Sequence, residues 1–233
     1  TETAKMASFT ELWDEICKKR FKIKDPKYAR FRYGMQVNSL GLTESQPENN
    51  VYRILIQMLP VVIAKNSRAR AVQLPAWNEA LGLPRPWDQQ WSLRLQQIMA
   101  FETDLLEFGD IFKGSNEIKK KVSDLKKQAI SELKTIDKIG GLKVAIENGY
   151  MKKKLVLSQT ERQKNIESGI QKVIGVNCYT EGVKSPLMES EDGGFMKADQ
   201  KAEENQIKNV INWKKKRNAK KVKSCLEKLS EKA

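Results

Sequence analysis

The chemistry open to this chain is narrowed first by a residue it lacks. Its 233 residues include no histidine. That removes Ser-His and Cys-His nucleophile pairs, histidine-ligated zinc and an imidazole general base. Cys17, Cys178 and Cys225 are too scattered for a disulfide framework or a zinc spacing, so a reducing, cytoplasmic setting is expected. What remains is chemistry on carboxylates, lysine, tyrosine, cysteine or a bound cofactor. A second class of candidate is charge itself. Lys119-Lys120-Lys121, Lys152-Lys153-Lys154 and Lys214 to Arg217 are basic runs that could neutralise phosphates with steep salt dependence.

The placement of the charge weighs against a nucleic-acid partner. The net charge is +14, yet residues 1–110 hold 15 Lys and Arg against 13 Asp and Glu, while residues 111–233 hold 28 against 16. The basic runs are interleaved with acids along helical patterns, and no aromatic reader motif accompanies them. A solvated helix face is the simpler account. No apolar run approaches the roughly 18 residues of a membrane span, and Thr1 to Phe9 shows no signal-peptide pattern.

The elements that must position any site fall into two styles. In the front half, Thr10 is expected to cap a helix through Arg20, with Glu11, Asp14 and Glu15 early and Lys18, Lys19 and Arg20 late, as the helix dipole favours. Phe31 to Val37 reads as a short strand, Asn50 to Ile63 as a helix that Asn49 and Asn50 cap, Ala69 to Leu74 as a second strand, and Trp87 to Glu102 as an amphipathic helix. This alternation predicts parallel βα units. Trp77, Trp87 and Trp91 either line a pocket or pack in the core. In the back half, Ser115 should cap a helix over Asn116 to Ile139 that Gly140-Gly141 closes. A short helix ends at Gly149, another runs to about Ser168, Lys172 to Val176 is strand-like, Ser185 to Gly194 reads as a linker, and Asp199 to Leu229 is helical and basic.

An ordered set of motifs runs through these elements. Phe31-Arg32-Tyr33-Gly34-Met35-Gln36-Val37-Asn38-Ser39-Leu40-Gly41-Leu42-Thr43 is followed by Asn49-Asn50-Val51-x-Arg53, then Asn78-Glu79-Ala80-Leu81-Gly82-Leu83-Pro84. Glu102-Thr103, Gly109-Asp110, Gly114-Ser115, Gly140-Gly141, Ala145-Ile146-Glu147-x-Gly149 and Gly175-Val176-Asn177 complete it. In this order the set resembles the methylmalonyl-CoA mutase superfamily. Val72 to Glu79, Pro84 to Trp91 and the stretch from Gly194-Phe195-Met196-Lys197 resemble its ethylmalonyl-CoA mutase branch.

The resemblance implies an α/β fold, a partial TIM (β/α)8 barrel followed by a largely helical linker region. Residues 1–115 would be the C-terminal part of the substrate barrel, 116–184 a helical barrel-closing region, and 185–233 a basic linker toward a cobalamin-binding domain. It implies adenosylcobalamin as cofactor and an acyl-CoA as substrate, with radical migration of the carbonyl-thioester group, here ethylmalonyl-CoA to methylsuccinyl-CoA. The family's cobalt-ligating histidine has no counterpart here, so the expectation is a fragment or split subunit that needs the remaining barrel and a cobalamin-binding segment. A homodimer fits the same reading. By the same resemblance Arg68 and Arg70, standing where the family has His and Gln, would be catalytic cations near the thioester carbonyl. Arg32, Gln36 and Phe101 would face substrate, with Arg32 suited to a CoA phosphate or acid group. Gln73, Glu102 and Asp110 would face the cofactor. A non-catalytic assembly subunit on the same fold, and a basic nucleic-acid-binding protein, remain alternatives from other classes.

Overall fold

A computed structural model describes residues 1–67, 69–197 and 199–232. The chain divides into two compact units, Thr1–Phe195 and Met196–Ala233. The first is mostly helical around a two-stranded parallel sheet. Its elements are α1 (Glu2–Lys19), β1 (Gly34–Gln36), α2 (Asn49–Ile63), β2 (Ala71–Gln73), α3 (Asp88–Phe101), α4 (Asn116–Ile139), α5 (Leu142–Glu147) and α6 (Tyr150–Glu167). The second holds α7 (Gln200–Lys216) and α8 (Ala219–Lys232).

The sheet pairs Gly34 with Ala71, Met35 with Val72 and Gln36 with Gln73. Pairing runs on at both ends, where the Arg70 amide donates to Tyr33 O (2.9 Å) and the Val37 amide to Gln73 O (2.9 Å). Alternation along a strand then gives the two faces different fates. Val37, Val72 and Leu74 join Leu42 in a core completed by Ile54 and Met58 of α2 and Leu95 and Met99 of α3. Each helix contributes a pair four residues apart, so the two present single apolar stripes to one sheet face. Gly34, Gln36, Ala71 and Gln73 lie on the opposite face, all exposed. The expected parallel βα arrangement is present as β1-α2-β2, with strands shorter than the patterns over 31–37 and 69–74 predicted.

Other boundaries moved for identifiable reasons. Thr10 is not a cap. It lies in mid-helix, its hydroxyl donating to Met6 O (3.1 Å), and α1 begins with Thr1 at its N-cap because Ala4, Met6 and Ser8 are buried under it. Asn49 and Asn50 are not caps either, since Glu48 occupies that position. Asn50 is fully buried: its amide donates to Thr43 O and Trp77 O (both 2.9 Å) and accepts from the Thr43 amide (3.0 Å) and Arg53 (2.8 Å). Ser115 does cap α4, accepting from the Ile118 amide (3.3 Å), and Gly140 ends it at φ 114. α4 packs on α1, where Lys126 is held between Glu11 (3.0 Å) and Glu15. The strand-like run at 172–176 contributes a single bridge, Ile174 to Cys178. The basic helix over 199–229 breaks at extended Arg217, and Asn218 accepts from the Lys221 amide (2.9 Å) to start α8.

The segment 185–194 is no free linker. Asp192 receives both carboxylate contacts from Arg85 Nη1 (2.9 and 3.0 Å), and Asn78 donates to Gly194 O (2.7 Å). Ser190 and the Gly194 amide also donate to Asp192 (2.6 and 2.9 Å). These hydrogen bonds, with the Arg85 guanidinium, hold the Asp192 carboxyl down at about 2. The segment is a strap laid over the 78–85 loop.

Candidate functional site

Three exposed arginines border one cleft at the N-terminal ends of the two strands. Arg30 and Arg32 precede β1, Arg70 precedes β2, and together with Asn66 and Ser67 they line a cleft of about 460 Å³. Their positions follow from local packing. Phe31 stacks on Tyr33 (centroids 4.5 Å apart) and meets Trp13 (5.4 Å) and Phe9 (6.4 Å) of α1, which pins the 30–33 stretch to that helix. The bond from the Arg70 amide to Tyr33 O brings Arg70 level with it. Residues two apart in extended chain share a side, so Arg30 and Arg32 point together. Burial pushes the Tyr33 phenol up, against the opposing effect of the Ser67 hydroxyl.

Among the described residues, none of the three arginines pairs with a carboxylate. Arg32 reaches only Lys27 O, at 3.4 Å. Asp14, at the cleft wall, is engaged by Lys18 (2.7 Å). Guanidinium groups without carboxylate partners are chemically suited to accept an anion.

At the other end of the same strands, Gln36 and Gln73 stand side by side on the open face, and neither side chain makes a hydrogen bond among the described residues. Gln36 also borders a cavity of about 330 Å³ with Met35 and Asn38. The structure therefore brings Arg32 and Arg70 together, and Gln36 and Gln73 together, on one strand pair.

The remaining expected residues sit apart from this pair. Phe101 ends α3 at 83% exposure, and Glu102 follows it on the surface. Asp110 accepts from the Asn66 amide and the Phe112 backbone amide (3.0 Å for the latter), which orders the loop before α4. It borders a larger cavity of about 570 Å³, whose wall shares Asn66 with the arginine cleft. Arg68 lies outside the described residues. Trp77 is buried, so core packing is its role, with its indole donating to Asp88 (3.0 Å); Trp87 and Trp91 stay partly exposed.

Sequence reasoning missed two features. Arg30 fell one residue before the recognised motif, although its i,i+2 relation to Arg32 was a usable signal. The Arg85–Asp88 pair was quoted as part of a stretch but not read as a hub. Asp88 is fully buried and accepts from Trp77, Asn78 (2.6 Å), the Arg85 amide (2.8 Å) and the Arg85 guanidinium (3.0 and 3.1 Å). Burial alone would raise its pKa, but these hydrogen bonds, Arg85 foremost, hold it below the usual carboxylate range.

Compared with known proteins, the whole chain, residues 1–233, matches the methylmalonyl-CoA mutase family. The chain belongs to the methylmalonyl-CoA mutase family. Among members of that family it is similar to the ethylmalonyl-CoA mutase of Cereibacter sphaeroides, with 58% identity over 92% of this chain and 32% of that protein. It is 54% identical to the ethylmalonyl-CoA mutase of Methylorubrum extorquens, over 100% of this chain and 34% of that protein. Identity to the methylmalonyl-CoA mutase of Escherichia coli is 32%, over 72% of this chain and 23% of that protein. The sequence thus sits in the ethylmalonyl-CoA mutase branch of the methylmalonyl-CoA mutase family. It spans about a third of the length of the two ethylmalonyl-CoA mutases it matches.

Proposed function

We propose that this chain supplies part of the substrate-binding α/β barrel of an adenosylcobalamin-dependent acyl-CoA mutase that converts ethylmalonyl-CoA to methylsuccinyl-CoA. The observation that carries the reading is the family match over all 233 residues, joined to 58% and 54% identity with two ethylmalonyl-CoA mutases. The parallel β1-α2-β2 unit supports it. Its helices cover one sheet face and leave the other bare, as the inward face of a barrel segment would be. Residues 1–115 are then barrel, 116–184 close it, and 185–233 lead toward a cobalamin-binding region.

The cofactor's corrin ring is fringed with primary amides. The unengaged amides of Gln36 and Gln73 at the C-terminal ends of the strands fit that rim, and the absence of histidine means that this chain offers no imidazole to the cobalt. When bound, adenosylcobalamin supplies the radical chemistry of the rearrangement. The chain's own residues do the positioning. Gln36 and Gln73 orient groups at the strand ends through amide hydrogen bonds, and Arg32 takes an anionic part of the substrate. The exposed ring of Phe101 shapes and dries an adjoining surface, with Glu102 and Asp110 as polar partners on the cofactor side. Holding the thioester in one pose and excluding water are the protein's largest contributions to such a reaction.

Among the described residues no helix is long and apolar enough to cross a membrane, and a cytoplasmic enzyme acting on a CoA thioester agrees with the free cysteines. The test is reconstitution. Assembled with the remaining two thirds of an ethylmalonyl-CoA mutase, the chain should sustain adenosylcobalamin-dependent turnover of ethylmalonyl-CoA. Folded assemblies that bind cofactor but do not turn over would overturn the proposal.

A further inference from the structure

One polar residue breaks the apolar stripe of α2. Ile54 and Met58 are buried in the core, and the position four residues before Ile54 on the same stripe is Asn50, buried as completely as they are. A buried amide costs stability unless its donors and acceptors are met, and an apolar side chain of similar shape would carry no such requirement. A residue that defies the pattern of its own helix invites a reason outside that helix.

The partners of the amide supply the reason. Both of its N–H donors and both lone pairs of its oxygen are used. The nitrogen donates to Thr43 O and Trp77 O (both 2.9 Å), and the oxygen accepts from the Thr43 amide (3.0 Å) and Arg53 Nη1 (2.8 Å). Thr43 lies in the connection that follows β1, and Trp77 in the connection that follows β2. The strands are parallel, so both connections leave the sheet at the same end. That end carries Gln36 and Gln73, and its last sheet bond runs from the Val37 amide to Gln73 O (2.9 Å). The C-terminal strand ends are where barrel enzymes do their chemistry.

We infer that Asn50 is a positioning residue for the mutase reaction: its amide clasps the two strand-end connections together and so sets the spacing of Gln36 and Gln73. Being fully buried, it touches neither substrate nor cofactor and acts through those two side chains. The inference rests on the acyl-CoA mutase reading for the reaction served, and on the hydrogen bonds alone for the clasp. Misplacing the groups that hold a reacting substrate by about 1 Å can cost about a hundredfold in rate. The loss falls on the reacting step more than on binding, because most contacts to an elongated substrate lie away from these two amides.

Two readouts test it. The first is amide exchange in the full 233-residue chain. Asn50→Ala should speed exchange about tenfold at the Val37 and Thr43 amides and leave the Arg70 amide unchanged, although Arg70 is bonded to Tyr33 at the other end of the same strand pair. Equal acceleration at Val37 and Arg70 would mark a general loss of stability, and an unaltered Val37 would mean that nothing is clasped; either overturns the inference. Should Asn50→Ala fail to fold, Asn50→Asp serves, since it keeps the acceptors for the Thr43 amide and Arg53 and loses only the two donations. The second readout is kinetic, in the reconstituted mutase. Asn50→Asp should lower kcat about tenfold and move KM for ethylmalonyl-CoA less than about threefold. Gln73→Ala should then lose most of its own effect on kcat when made in the Asn50→Asp background. Val122→Ala, a core truncation on α4, should leave kcat unchanged. Multiplicative effects of the Asn50 and Gln73 changes, or an equal fall in kcat from Val122→Ala, would reduce Asn50 to general support of the fold and overturn its role. A wild-type assembly without turnover, joined to the expected exchange pattern, would sink the mutase reading and leave the clasp standing.

Discussion

Arg85 and the trio Arg30, Arg32 and Arg70 solve opposite problems. Arg85 is almost buried, with Asp88 and Asp192 as its counter-charges, the face of its guanidinium over the Trp87 ring (4.0 Å) and its own backbone amide bonded to Asp88. Arg30, Arg32 and Arg70 are exposed, share one cleft and, among the described residues, form no ion pair with a carboxylate. Arg85 holds the structure together, tying the loop over 78–85 to the start of α3 through Asp88 and to the strap over 185–194 through Asp192. The trio leaves its valences open. The difference teaches where to look for function on a highly charged chain: count not the charges but those without partners.

The sharpest way to break the comparison is to remove the buried carboxylate. Asp88→Ala leaves the Arg85 guanidinium with Asp192 alone and the Trp77 indole without its acceptor, and should cost about 3–5 kcal/mol in denaturant unfolding. Next comes the neutral counterpart of that hub. Asn50→Ala leaves the Thr43 amide and carbonyl and the Trp77 carbonyl without their partner, and should cost about 1–3 kcal/mol by the same measurement. Arg30→Gln, by contrast, should change stability by no more than about 0.5 kcal/mol, and its melting temperature should rise less in sulfate than that of the wild type, because less unpaired charge remains for the anion to screen. A melt of Arg30→Gln as depressed as that of Asp88→Ala would erase the distinction.

The smallest effect is in pH. Asp192 titrates at about 2 in the folded chain, below its ordinary 3.8, so its attachment of the strap is complete above that ordinary value and is lost as pH falls toward 2. Amide exchange at Gly194 should accelerate over that window, and Asp192→Asn should abolish the dependence.

Much of this was legible in the sequence, and the residues show why. Ser115 and Gly140 bracket α4 as their types demand, because a hydroxyl N-cap and a left-handed glycine act locally. The alternation of β1, α2, β2 and α3 was readable from apolar spacing. Thr10 misled because a cap signal is also local, whereas α1 is extended to Glu2 by burial of Ala4 and Met6 against distant elements. Asn50 misled for the same reason: its partner carbonyl at Trp77 lies 27 residues away. The strap was read as a linker since nothing in Ser185 to Gly194 announces Arg85, 107 residues before Asp192. Within the site, Arg32, Gln36, Arg70 and Gln73 were found from motifs, but only the strand register shows that they divide into a cationic end and an amide end.

The reach of Arg53 has a kinetic side. Its guanidinium joins Asn50 and Thr43 nearby to Ile174 O, 121 residues further on (2.8 Å), and Gln46 likewise meets Tyr179 O (3.0 Å) across 133. Helices α4 to α6 can form from neighbours in sequence within microseconds. The turn after them can dock only once α2 and its loop exist to receive it, and closing so long a loop carries an entropic cost that local contacts escape. The last part of this unit to reach its place during folding should therefore be the stretch around Ile174 to Tyr179, with Arg53 as the catch it closes on.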